Sequence, residues 1–124
     1  MYERCVQLTR LFYRPIERPD LELRSQLNTA HHLIQDLVRV PLKSQQEDAL
    51  TCLISDIVAN LIVSSNGSLE RSFLLTALNK GMMQIAAAQF QQFCCRNGKL
   101  DTRSWQKRKA EQELFLRGKL PFCN

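Results

Sequence analysis

DLELRSQLNTAHHLIQDLVR, residues 20–39, decides the fold class. Leu23, Leu27, Ala30, Ile34 and Leu37 recur at spacings of four, three, four and three. A helix turns once every 3.6 residues, so this spacing draws one apolar seam along one face. Asp20, just after Pro19, is placed to cap the helix through its carboxylate. Val40-Pro41 stops it, because proline excludes the helical conformation from the residue before it.

The same period continues downstream. Ser44-Gln45-Gln46-Glu47 has the form of a capping box, and Leu50, Ile54, Ile57 and Leu61 follow it at helical spacing, flanked by Leu53 and Val58. That predicts a second, well-buried helix over about 45–63, closed by Ser64-Ser65-Asn66-Gly67. Ser68 is placed to cap a third helix with Glu70 in its first turn. Leu75, Leu78, Met82, Ile85 and Phe93 mark its buried side as far as Asn97-Gly98. Gly81 costs such a helix roughly 1 kcal/mol relative to alanine. Asp101 opens a fourth helix, with Trp105, Gln112 and Leu116 on a narrow apolar stripe joined by Phe115, and Gly118 ends it. Trp105 is read as its anchor to the core.

Short connections between long helices favour antiparallel neighbours. The expectation is an all-α, antiparallel up-down-up-down four-helix bundle over residues 20–117. An N-terminal extension (1–19) precedes it and a tail (118–124) follows, all within one helical domain, 1–124. Within the extension, Cys5, Leu8 and Phe12 share one helical stripe, which predicts a short N-terminal helix ended by Pro15.

The chain has 124 residues, ordinary for one domain, and its 44% hydrophobic and 23% charged residues describe a globular protein. No run of about 18 uncharged apolar residues exists, so no membrane span is expected, and the charged N-terminus carries no secretory signal. The five cysteines, Cys5, Cys52, Cys94, Cys95 and Cys123, are odd in number and irregular in spacing. They read as reduced thiols in a cytoplasmic protein, with Cys52 a small core residue. No metal-ligand spacing, phosphate loop or nucleophile motif is present. The reading is therefore of a chain that is not an enzyme and uses no cofactor and no metal.

The net charge of +5 is unevenly placed. Residues 1–95 carry nine basic and nine acidic side chains, whereas residues 96–124 carry eight and three. A concentrated positive field attracts polyanions, and nucleic acid is the commonest inside a cell. Arg96, Lys99, Arg103, Lys107, Arg108 and Lys109 are accordingly the expected phosphate contacts. An adaptor docking its cationic helix on an acidic protein partner is the alternative. Least favoured is a small helical ribonuclease of the HEPN type, in which Arg24 holds a phosphate and His31 moves a proton. The broad apolar faces of the second and third helices further suggest a homo-oligomer.

Val40-Pro41, the apolar Leu50-to-Val63 helix, the polar turn Ser64–Ser68, the opening Phe73-Leu74-Leu75-Thr76-Ala77-Leu78 and the turn Gly98-Lys99-Leu100 follow one another in a suggestive order. Over about residues 20–117 this layout resembles the ribosomal-RNA intervening-sequence proteins and their relatives, the accessory variability determinants of diversity-generating retroelements. The resemblance implies a ring-forming, non-catalytic accessory subunit that contacts RNA or DNA and a reverse transcriptase.

Overall fold

The structure, a computed structural model, describes residues 2–59, 72–96 and 99–121, and at Cys95 and Arg96 only the backbone. The described residues form six helices: α1 (Glu3–Arg10), α2 (Asp20–Leu37), α3 (Ser44–Val58), α4 (Phe73–Asn79), α5 (Met83–Ala88) and α6 (Thr102–Arg117). A 3-10 turn, Gln89–Phe93, extends α5. Two short antiparallel strands, β1 (Cys95–Arg96) and β2 (Lys99–Leu100), lead into α6 with Cys95 opposite Leu100. The all-α class holds, and the described residues form six helices where a four-helix bundle with a short N-terminal helix is expected. None of the helices searched among the described residues is long and apolar enough to cross a membrane.

The seam read from residues 20–39 is present. Leu23, Leu27, Ala30 and Ile34 are the buried residues of α2, and α2 packs most extensively on α3. The second large interface of α3 is with α6, so α3 is the central helix. Eight consecutive side chains of α3, Ala49 to Asp56, are buried. The core extends from Cys5 and Leu8 of α1 through Leu50 and Leu53 to Phe90, Leu114 and Phe115. The Phe90 and Phe115 rings meet edge to face, 5.4 Å between centroids, a geometry that suits the quadrupoles of the two rings. The expected short N-terminal helix is α1, and residues 11–19 connect it to α2.

The caps differ from expectation in detail. Helix α3 begins one residue earlier than the capping-box reading placed it, with Gln46 Oε1 accepting from the Lys43 backbone N–H at 2.9 Å. Ser44 instead accepts from Arg4, and Glu47 pairs with His31 at 3.1 Å. Asp20 is the first residue of α2 and pairs with Arg10, leaving Pro19 at the cap. Asp101 stands at the cap position of α6, where it accepts from the Ser104 hydroxyl at 2.7 Å rather than from a backbone amide.

The expected third helix is interrupted. Ser72 caps α4 by accepting from the Leu75 amide at 3.2 Å. Gly81 then takes a left-handed φ of 74°, and the Met82 amide bonds back to the Ala77 carbonyl at 3.0 Å. That is how a helix closes on a glycine beyond its last turn. The residue read as a tolerated flaw is a stop. The expected turn at 64–68, the end of the second helix beyond 59, Asn97-Gly98 and Phe122 to Asn124 lie outside the described residues.

Helix α6 runs where predicted but with its faces exchanged. Its buried side is Ser104, Lys107, Arg108, Ala110, Glu111, Leu114 and Phe115. Trp105 and Leu116, expected inside, are 37% and 42% exposed. Trp105 is therefore no core anchor; Lys109 lies over its ring, 5.5 Å from the centroid.

Candidate functional site

The reason α6 turns this way is Asp56. It lies on the buried stretch of α3 and is 1% exposed. A buried carboxylate must be paired, since leaving it unpaired costs several kcal/mol. Three cations converge on it: Arg18 from the linker, Lys107 at 3.0 Å and Arg108 from α6. Glu111, one helical turn on, takes Lys107 at 2.7 Å and Arg108 at 2.6 Å. Arg18 also donates to the Ser55 carbonyl and to Gln26, both at 3.0 Å, and Lys107 to Cys52 Sγ at 3.1 Å. Burial works to raise the Asp56 pKa, but Lys107, Arg108 and Arg18 overrule it and hold the carboxyl well below the usual range. For Lys107 and Arg108 burial opposes the charge, and the two carboxylates restore it and carry both pKa values above their ordinary levels. Burial pushes the Cys52 thiol up to about 12. Cys5, Cys52 and Cys94 are buried, and none of them is in a disulfide among the described residues.

This cluster fixes the outer wall of α6 against the segment 10–17. Between them lies a furrow in two stretches that meet at Phe12. One, of about 630 Å³, is lined by Arg10 to Arg14, Ile16, Glu17 and Arg103; the other, of about 420 Å³, by Gln106, Lys109, Ala110, Glu113 and Lys119 to Pro121. From Arg103 to Glu113 the furrow follows α6 for roughly 15 Å at 1.5 Å per residue.

Its geometry is set from both walls. Arg103 donates to Glu17 at 2.7 Å and to the Phe12 carbonyl at 3.3 Å, with its guanidinium 4.2 Å from the Tyr13 ring centroid. Arg18 lies 5.7 Å from the same ring. Tyr13, 3% exposed, thus joins the buried cluster to the furrow. Arg10 pairs with Asp20 and donates to the Tyr13 carbonyl at 3.3 Å. Hydrogen bonds from Arg103 and from the Arg14 amide hold the Glu17 carboxyl below its ordinary pKa, so it is ionised.

Another group of carboxyls lies where α1, α2 and α3 meet. Asp48 pairs with Arg4 at 3.1 Å, and burial raises its pKa. His31 is held by Glu47 and stands edge-on to Tyr2, and Arg24 is exposed on α2.

The six expected phosphate contacts are dispersed by this arrangement. Lys107 and Arg108 are fully buried and paired with carboxylates, out of reach of any phosphate. Arg103 and Lys109 line the furrow, Lys99 is exposed on β2, and Arg96 is described only through its backbone. Asp56 and Glu111 escaped sequence reading, although a signal existed. Glu111 stands four and three residues after Lys107 and Arg108, and Asp56 interrupts an apolar run.

The chain matches the family model described as phage lysozyme over residues 17–112, from the end of the linker through most of α6. No curated protein matches it. The family match overturns the resemblance to ribosomal-RNA intervening-sequence and retroelement accessory proteins. With it go the non-catalytic nucleic-acid-binding subunit, the adaptor and ribonuclease alternatives, and the reading of the chain as no enzyme. The expected RNA, DNA and protein partners and the homo-oligomer fall for the same reason: lysozymes act on the glycan of peptidoglycan.

Proposed function

Because the chain belongs to the phage lysozyme family, we propose that it acts on peptidoglycan as a glycoside hydrolase and receives the glycan strand in the furrow along α6. The observation that carries this reading is the furrow itself, elongated, polar at its arginine end and largely apolar past Ala110, Leu120 and Pro121, with an aromatic residue, Phe12, at its middle. A sugar chain presents alternating apolar faces and hydroxyls, and such a surface serves both.

Cleaving a glycosidic bond ordinarily takes two carboxyls, one giving a proton to the leaving oxygen and one ionised. Glu17 suits the ionised role, because Arg103 holds it as a carboxylate that would stabilise positive charge developing on the sugar. Glu113 lines the other stretch of the furrow, roughly 15 Å along α6 from the Arg103 that holds Glu17. That is beyond the separation at which two carboxyls share one glycosidic bond, so Glu17 is the carboxyl on which the reading rests. Asp56 and Glu111 are unsuited to either role, being buried and spent on three cations.

The test is to mix the purified protein with peptidoglycan sacculi and to measure cosedimentation and release of reducing ends. Binding with release of reducing ends is expected. Glu17→Gln should lower the release about 100-fold or more while cosedimentation persists. A protein that neither sediments with sacculi nor releases reducing ends would sink the reading.

A further inference from the structure

The buried charges do not balance. Among the described residues, the buried cations are Arg18, Lys107 and Arg108, and the buried carboxylates are Asp56 and Glu111. One positive charge is left over in a medium that screens poorly, with Arg18 5.7 Å from the Tyr13 ring centroid. The same ring lines the arginine-rich stretch of the furrow, where Arg103 stands 4.2 Å from its centroid.

That stretch brings three more guanidiniums together, Arg10, Arg14 and Arg103. Glu17 and Asp20 answer two of them. Arg14 is exposed, with the field of Glu17 shared between it and Arg103. Arg10 and Arg103 are steadied by the carbonyls of Tyr13 and Phe12, so their remaining N–H donors are held in place at little further entropic cost. The surplus of the cluster adds to that of the furrow, and a low-dielectric wall behind a cleft focuses such a field into it.

We propose that the Arg10–Arg14–Arg103 end of the furrow is a carboxylate-binding subsite, which takes a free carboxylate carried on the peptidoglycan strand by its peptide stem. The proposal rests on the peptidoglycan reading for the source of the carboxylate, and on the charge placement alone for the site. Guanidinium forks match a carboxylate in two parallel N–H to O bonds, a geometry that neither a hydroxyl nor an amide reproduces. The subsite sits beside Glu17, so a stem docked there would fix which sugar lies along α6.

The decisive measurement is calorimetric titration with N-acetylmuramoyl-L-alanyl-D-glutamate and with its diamide. The free acid should bind about tenfold or more tightly than the diamide, as charged hydrogen bonds to guanidinium require, and its affinity should fall as salt rises. Arg14→Gln, at an exposed position outside the core, should remove most of that preference while the circular dichroism spectrum stays unchanged. Equal affinities for acid and diamide, or an Arg14→Gln protein that still discriminates, would overturn the subsite. Failure here differs from failure of the peptidoglycan reading. Sacculi cleaved without any carboxylate preference remove the subsite alone. A carboxylate preference in a protein that ignores sacculi supports the subsite and removes only its assigned source.

Discussion

Helix α6 carries two sets of cations that sequence cannot tell apart. Lys107 and Arg108 face α3 and are fully buried, while Arg103 and Lys109 stand on the outer wall beside the furrow. The difference lies in what each meets. The inner pair meets carboxylates that have also lost their water, so each member is costly to remove. The outer pair meets solvent and half-exposed carboxylates, where Coulomb attraction is weak and the contact adds little to stability. Inside, charge holds the fold; outside, charge is left over for a ligand.

Removing the hub should break that contrast most sharply. Asp56→Asn leaves Arg18, Lys107 and Arg108 sharing Glu111 alone, and a loss of about 3–5 kcal/mol is expected in urea unfolding. A loss below about 1 kcal/mol would show that the cluster is not what secures α6.

Acid should act on the same residue. The folded-state pKa of Asp56 is lowered, so the unfolded chain binds its proton first as pH falls. The stability that Asp56 contributes is therefore present above about pH 4, the ordinary carboxyl range, and declines as pH drops toward the folded value. Unfolding free energies measured from pH 7 to pH 2 should show that decline, and Asp56→Asn should lose much of it.

The surplus charge provides a finer comparison. Lys107→Met leaves two arginines and two carboxylates, a balanced set. Its cost should be about 1–2 kcal/mol, below that of Asp56→Asn, because each carboxylate keeps at least one arginine. Equal costs for the two variants would contradict the count of one unpaired cation. Smallest of all, Arg103→Gln on the outer wall should change stability by less than about 1 kcal/mol, its partner Glu17 being 39% exposed.

The apolar periods of residues 20–39 and 45–58 were legible because the apolar side of a helix records what it packs against. The end of α4 was not, since Gly81 reads identically as a costly interior glycine and as a stop. Only the contacts of Leu78 and Ala77 with the residues that follow distinguish the two. The furrow was half legible: Arg103 and Lys109 stood out as cationic, yet Phe12 and Glu17, far off in sequence, complete it.

By itself the sequence determined that this chain is helical, that the stretches read at 20–39 and from about 45 onward carry continuous apolar faces, and that its surplus charge lies after residue 95. Which way α6 faces was decided only in the tertiary structure. Periodicity ranks side chains by hydrophobicity and expels every cation, whereas burial depends on whether a partner of opposite charge waits on another helix. Asp56, 51 residues before Lys107, is that partner, and no local pattern could have announced it.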